Sequence, residues 1–303
     1  MRYRPFGRSG LALSTVGLHL SREKLNRNHG LLQKLINSAL ENGINTYHFD
    51  TAEPRMLAAA AEVFSVVERK LLFVSVAAHE PGQGDDPAIY ALPALKERLR
   101  AAIKDSGLSW LDQLIFCESG VTLLPDDTLN FLKSLRRSKM LRYLGAEIET
   151  SGMADVIKSG RFDVIKTSFD IDSTWEKRHQ IDKALAREMN VMAADFFPAA
   201  YSKASDVIPA EARRGWFGLK ATNPLAGAGT HAFLHQTADW TPEELCLSYA
   251  LSQPSLACIF VEPASCEHLE ALASVPERHL PPSVPAQIEM ARFTEHTPKS
   301  LRG

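Results

Sequence analysis

Several residues that can do chemistry stand where short apolar stretches of this 303-residue chain end. They are mostly carboxylates, with two histidines, one cysteine and a single lysine, Lys166, among them. Carboxylates around one lysine would form a site for a cationic or polyhydroxyl ligand, or an acid/base pair that acts on a small carbonyl compound. The candidates are His19, His48, Asp50, Cys117, Glu118, Glu147, Lys166, Asp170, Asp195 and Glu262.

Some of these residues suggest a specific reaction. His48 and Asp50 are two apart on one predicted strand, so they share a face and could act as a general base and its partner. Lys166 could form a Schiff base, but that requires a lowered pKa, and neighbouring carboxylates raise it. Metal binding by His48, Asp50 and Glu118 has no supporting spacing motif, so we predict no metal site. Cys117 is interpreted as a small buried residue, with a nucleophile as the alternative.

A structural interpretation of the same charges remains open. In it, Lys166 pairs with Asp50 or Asp195, and the buried network ties strand ends together without chemistry.

Short extended stretches alternate with longer amphipathic ones along the chain, which is typical of a parallel α/β fold. Eight such strand–helix units in about 275 residues predict a (β/α)8 TIM barrel, with its site at the C-terminal ends of the strands. The rival doubly wound sheet lacks a GxGxxG motif after the first strand. The predicted strands are LSTVGLHLS, INTYHFD, KLLFVSVA, LDQLIFCE, RYLGAEIE, FDVIKTSFD, VMAADFF and ACIFVEPA.

Helix signals support this pattern. In HGLLQKLINSALENG the apolar residues fall on one face and Gly43 occupies a C-terminal capping position, while TPEELCLSYALSQ opens with a capping box of Thr241 and Glu244. We predict a single barrel domain over residues 1–303. It carries a long loop insertion at about 198–239 and a C-terminal extension at about 276–303 that wraps the outside of the barrel.

Composition narrows the function classes. The chain has 34 basic and 36 acidic residues and no basic block, so we predict no nucleic-acid or membrane-surface partner. It has no secretory signal and no apolar run of roughly 20 residues, which predicts a cytoplasmic protein. Its four cysteines form no CxxC pair. The expected partner is a small molecule or another protein.

The chain resembles the aldo-keto reductase superfamily in five stretches that follow the family's order over most of residues 1–275. MRYRPFGRSGLALSTVGLHLS is similar to the family's opening hairpin and first barrel strand, and GINTYHFDTAE to its second-strand motif. WLDQLIF resembles the fourth strand, LRRSKMLRYLGAEIE the fifth, and TPEELCLSYALSQPSLACIFVEPASCEHLEAL the last helix and strand. The resemblance implies a (β/α)8 barrel and NADPH-dependent reduction of a carbonyl by an Asp, Tyr, Lys and His tetrad.

The tetrad positions are largely altered. Asp50 matches the aspartate, but the tyrosine position five residues later holds Arg55. Arginine is a poor proton donor because it is effectively always protonated, although it could polarise a carbonyl. Cys117 stands at the histidine position, and the lysine position falls on Val76, Ala77 or Ala78.

The implied cofactor positions are altered as well. Residues that hold the nicotinamide in the family correspond here to Glu147, Ile148 and Lys166, and the stacking tyrosine to Ala194. Three carboxylates, Glu147, Asp195 and Glu262, would repel a polyanionic dinucleotide. We therefore assign no cofactor-binding residues and predict no cofactor, with NADP(H) kept as the alternative.

The sequence thus predicts an aldo-keto-reductase-like protein without a competent tetrad: a non-redox enzyme or a binding protein for a small polar metabolite. The catalytic candidates are Asp50, Lys166, His48, Arg55, Cys117 and Glu118, and the substrate-binding candidates are Glu147, Asp170, Asp195 and His19. Two alternatives stay open, namely an NADP-dependent oxidoreductase with a non-standard site and a catalytically silent scaffold or regulatory subunit.

Overall fold

The structure is a computed structural model that describes residues 1–7, 10–25, 28–203 and 231–296, with residues 293–296 described in backbone only. Most of the expected insertion, residues 204–230, and the end of the expected C-terminal extension, residues 297–303, lie outside the described residues. No helix in the described ranges is both long and apolar enough to cross a membrane.

Eight parallel strands close into a barrel in which each strand pairs with its neighbours in chain order, and the last pairs with the first. This confirms the predicted (β/α)8 fold. A two-stranded antiparallel hairpin, β1 (Tyr3–Pro5) and β2 (Ala12–Ser14), precedes it. The barrel strands are β3 (Val16–Leu20), β4 (Thr46–Phe49), β5 (Phe73–Ala77), β6 (Leu111–Phe116), β7 (Leu141–Glu147), β8 (Val164–Ser168), β9 (Asn190–Ala194) and β10 (Cys258–Val261).

Helices connect the strands on the outside. They are α1 (Arg22–Leu25), α2 (His29–Glu41), α3 (Pro54–Phe64), α4 (Leu92–Arg100), α5 (Glu118–Leu123), α6 (Asp126–Arg137), α7 (Thr150–Ser159), α8 (Trp175–Ala186), α9 (Pro242–Leu251), α10 (Cys266–Ser274) and α11 (Ser283–His296).

The predicted caps are present. Thr241 Oγ1 accepts the N–H of Glu244 at 3.2 Å, and the Glu244 carboxylate accepts the N–H of Thr241 at 2.8 Å. Gly43 follows α2 with a φ of +76°, a left-handed conformation that glycine adopts without strain.

After α4 ends at Arg100, the chain forms a π-helical turn at Ala101–Asp105. Two features differ from the sequence prediction. The strand predicted to reach Glu118 stops at Phe116, because Cys117 caps α5 instead. The C-terminal extension contains α11, which the sequence did not predict.

Apolar side chains fill the barrel interior at its N-terminal end. Phe6, which follows β1, packs against Phe73 with ring centroids 5.0 Å apart and against Tyr143 at 5.1 Å. Val164, Met192, Cys258 and Phe260 belong to the same inner cluster. Side chains alternate between the two sides of a strand, so the same strands face the helices with a second, larger apolar layer. The interior near the C-terminal mouth is left to polar residues.

Candidate functional site

Lys166 and Glu147 form an ion pair at the C-terminal mouth. They are register neighbours on β8 and β7, and Lys166 Nζ lies 2.6 Å from Glu147 Oε1. The lysine side chain is 4% exposed and the glutamate side chain 40% exposed, so the pair reaches from the interior toward solvent. The sequence predicts Asp50 or Asp195 as the partner of Lys166. That prediction is wrong, because the register of the strands places Glu147 beside the lysine.

Three imidazoles lie close enough to Lys166 for its charge to affect their pKa values. His19 and His48 are register neighbours on β3 and β4, with ring centroids 5.2 Å apart, and His79 follows β5. Burial lowers the pKa of His19 to about 3, and the charges of Lys166 and Lys24 act in the same direction. Burial likewise lowers the pKa of His48 and of His79, with Lys166 contributing to both. These rings are therefore neutral near pH 7 and serve as hydrogen-bonding groups.

The proposed His48 and Asp50 pair does not form. His48 Nδ1 lies 3.0 Å from Ser75 Oγ inside the barrel. Asp50 Oδ1 instead accepts the N–H of Arg22 at 2.7 Å, which ties the turn after β3 to the end of β4. Burial raises the pKa of Asp50, partly offset by this hydrogen bond, and Glu262 and Glu80 raise it further.

Gln113 of β6 was missed by the sequence analysis. It is fully buried, and neither its Oε1 nor its Nε2 has a hydrogen-bond partner in the described part of the chain. Its amide fills the space beside Gly145, where an added Cβ would lie 2.5 Å from Nε2. His19 Nε2 and His79 Nδ1 are also buried without a described partner. A polar residue inside an apolar strand such as LDQLIF is the signal that identifies Gln113.

We call the residues that share this interior the lumen cluster: His19, His48, His79, Gln113, Glu147 and Lys166. It includes four of the sequence candidates and adds His79 and Gln113.

The remaining candidates lie around the rim. Arg55 is exposed in the first turn of α3. Glu118 is exposed at the start of α5, with its carboxylate beside Gly152 of α7. Asp170 closes its own turn by accepting from the Asp172 N–H and the Ser173 hydroxyl. These contacts place none of the three in the lumen cluster.

Cys117 is packed by the loop after β5. Its Sγ lies 3.2 Å from Tyr90 Oη, and the Tyr90 hydroxyl donates to the carbonyl of Gly84 at 2.9 Å. Tyr90 is fully buried, and burial raises the pKa of its phenol. The sequence around Cys117 does not indicate this contact, because Tyr90 lies 27 residues away along the chain.

Asp195 and Glu262, two of the carboxylates expected to repel a dinucleotide, stand at the ends of β9 and β10. Asp195 is exposed with a φ of +48°, and Glu262 Oε1 lies 3.0 Å from Lys24 Nζ, so this cation is already paired. The first turn of α10 carries the acidic Glu267. Phosphates require hydrogen-bond donors and positive charge, so these described groups do not fit a dinucleotide. Within the described ranges, no group of three or more His, Cys, Asp or Glu side chains is placed to hold a metal ion.

Comparisons with known proteins identify the fold. No protein-family model and no curated protein matches the chain. An aldo-keto reductase from Bacillus halodurans, solved in its holo form, is 14% identical with a TM-score of 0.71, and the match covers 97% of this chain and 96% of that chain. A Pseudomonas aeruginosa protein provisionally named an aldo-keto reductase is 16% identical with a TM-score of 0.61, over 97% of this chain and 95% of that one. The chain therefore has a (β/α)8 barrel of the aldo-keto reductase type.

Proposed function

We propose that this chain is a single-domain, diverged member of the aldo-keto reductase superfamily whose barrel mouth binds a small polar metabolite. The observation that supports this most is the fully buried Gln113 amide, whose two polar atoms have no described partner. Leaving a buried polar group unpaired costs about 1–3 kcal/mol. Such a position is favourable only if water or a polar ligand completes the hydrogen bonds.

Charge in the lumen cluster narrows the ligand class. Glu147 lies 2.6 Å from Lys166 and neutralises its charge, and His19 and His48 are neutral. The cluster therefore has no free negative charge to bind a cation, and its one positive charge is already paired when an anion arrives. A carbonyl or hydroxyl oxygen near Lys166 Nζ, with neutral imidazoles as further partners, suits it best. An ammonium in a water-poor site polarises such an oxygen strongly. The ligand is therefore a small carbonyl or hydroxyl compound, rather than the cationic one that the sequence also allowed.

The groups that replace the tetrad favour binding or non-redox chemistry. A general acid must lie within hydrogen-bond distance of the reacting oxygen and must have a pKa near the working pH. Arg55 is exposed on α3, and the buried Tyr90, with its raised pKa, donates to a backbone carbonyl beside Cys117. Neither Arg55 nor Tyr90 can readily protonate a developing alkoxide.

Ligand-observed NMR tests the proposal with a panel of small ketones, aldehydes, hydroxy acids and polyols. We expect compounds that bind the wild type and the K183M variant, which removes an exposed lysine of α8, but not K166M. Circular dichroism checks that both variants are folded. A panel without binders, or binders that K166M leaves unaffected, contradicts the proposal.

An NADP(H)-dependent oxidoreductase is the second candidate, favoured by the holo form of the Bacillus halodurans neighbour. In that case Lys166 would orient the carbonyl oxygen of the substrate. Calorimetric titration with NADPH and NADP separates the two candidates, because micromolar binding supports the oxidoreductase. If neither cofactor nor metabolite binds, the catalytically silent scaffold is the remaining alternative.

A further inference from the structure

A groove of about 610 Å³ opens at the N-terminal end of the barrel, opposite the mouth, where β6 and β7 begin. Trp110, Leu141 and Tyr143 give it apolar walls. Its other lining residues are all basic: Arg136, Arg137, Lys139 and Arg142. We call this the basic groove. None of its residues belongs to the lumen cluster, so it is a separate candidate site.

Arg142 is held in place before any ligand arrives. Its Nη1 lies 2.9 Å from Asp112 Oδ1, and the fully buried Asp112 also accepts the N–H of Val74 on β5 at 2.9 Å. The guanidinium lies over the Trp110 ring, 5.3 Å from its centroid, and that of Arg69 lies over the same ring at 4.5 Å. These contacts fix the orientation of Arg142.

Arg136 is oriented in the same way, by a carboxylate that is itself hydrogen-bonded to a strand N–H. Its Nη2 lies 3.0 Å from Asp163 Oδ1, and Asp163 Oδ2 accepts the N–H of Leu144 on β7 at 2.8 Å. Each arginine is thus held by a carboxylate that a strand N–H anchors. A planar guanidinium fixed in this way loses little entropy when it binds a phosphate or carboxylate through two hydrogen bonds.

The basic groove is positively charged, although the whole chain has a small negative net charge. Arg137 and Lys139 are exposed and form no ion pair with a described residue. With Arg69 included, five basic side chains stand against the two carboxylates Asp112 and Asp163, an excess of three positive charges in a chain of formal net charge −2. A positive concave surface concentrates anions.

We propose that the basic groove binds a small multivalent oxyanion, the phosphate or pyrophosphate group of a phosphorylated metabolite. Arg136 and Arg142 supply the oriented hydrogen-bond donors, and Arg137 and Lys139 supply the uncompensated charge. The volume of about 610 Å³ falls among small-molecule sites and exceeds the needs of a bare ion, so an organic group accompanies the phosphate against Trp110 and Tyr143.

Isothermal titration calorimetry with sodium pyrophosphate at low salt tests this site. We expect one saturable site in the wild type and roughly tenfold weaker binding in the double variant R137Q/K139Q. The matched control K133Q/K183Q removes two exposed lysines of α6 and α8 outside the groove, and we expect it to bind as the wild type does. Thermal denaturation verifies that each variant is folded.

Three outcomes overturn the proposal: no saturable binding, equal weakening in both double variants, or loss of binding in K166M. Equal weakening would show that pyrophosphate responds to overall charge. Loss in K166M would place the anion at the mouth instead. Because the metabolite panel for the mouth and pyrophosphate for the groove are separate titrations, failure of one proposal leaves the other intact.

Discussion

Lys166 Nζ and Glu147 Oε1 lie 2.6 Å apart across β8 and β7, yet the lysine side chain is 4% exposed and the glutamate side chain 40%. The two charges therefore have unequal access to water. The carboxylate keeps much of its hydration without the lysine, whereas the ammonium depends on the carboxylate for compensation. This asymmetry gives the two halves of the pair different effects on stability.

Replacing Glu147 should destabilise the fold more than replacing Lys166. In E147Q the buried ammonium loses its counter-charge, and we expect the free energy of unfolding to fall by about 1–3 kcal/mol, less than for a fully buried pair. In K166M an apolar side chain of similar length occupies the interior and the carboxylate turns to water, so we expect a change below about 1 kcal/mol. Urea denaturation measures both, and the opposite order would contradict this account.

Acidification should destabilise the fold in part through His19. Burial lowers the pKa of this imidazole to about 3, below its ordinary 6.5, so the unfolded chain takes up the proton first as the pH falls. The contribution of neutral His19 to the free energy of unfolding is fully present above about pH 6.5. It is lost as the pH falls from there to about 3, and the free energy of unfolding then decreases by at most about 1.4 kcal/mol per pH unit. H19Q removes this proton uptake. Urea denaturation at about pH 6 and about pH 4.5 should show a smaller pH dependence in H19Q. An unchanged dependence means that His19 takes up the proton equally in both states.

The fold was predictable because each barrel strand is a short apolar stretch, and all eight predicted strands are confirmed. Element ends were harder, because local geometry decides them. The sequence predicts that Cys117 belongs to the preceding strand. The chain instead turns at Cys117 to begin α5, and this leaves Glu118 exposed beside Gly152.

The site was only partly predictable, for two physical reasons. The two-residue alternation that put His48 and Asp50 on one face holds only inside a strand, and β4 ends at Phe49. The pairing of Lys166 with Glu147 depends on the register between β7 and β8, which the sequence of either strand does not contain. Both errors concern the relative placement of strand ends.

Asp112 should be critical for stability at the N-terminal end of the barrel. Its fully buried carboxylate contacts four donors: the N–H of Val74, the indole N–H of Trp110, and the guanidinium groups of Arg69 and Arg142. D112N keeps the shape but removes the charge that compensates both arginines, so we expect a loss of about 2–4 kcal/mol. Guanidinium denaturation measures it. D155N, at an exposed position of α7, should stay within about 0.5 kcal/mol of the wild type, and similar losses in both variants would contradict the prediction.

Gly145 and Gln113 should be energetically coupled. A Cβ at Gly145 would lie 2.5 Å from Gln113 Nε2 and 3.0 Å from Ile115 Cγ1, so G145A must displace the buried amide. We expect G145A to lower the free energy of unfolding by about 1–3 kcal/mol. G30A is the matched control, because an added Cβ there meets nothing closer than 3.8 Å, and we expect it to be neutral or slightly stabilising.

The double variant G145A/Q113A tests the reason for this cost. Removing the Gln113 amide leaves room for the new methyl group, so the combined loss should be smaller than the sum of the single losses by about 0.5–3 kcal/mol. Chemical denaturation of the four proteins in the cycle gives this coupling energy. Additive losses would mean that the methyl group strains the barrel against Ile115 instead. Coupling would establish that the space beside Gly145 belongs to the Gln113 amide, the same group whose unmatched hydrogen bonds support a ligand in the barrel mouth.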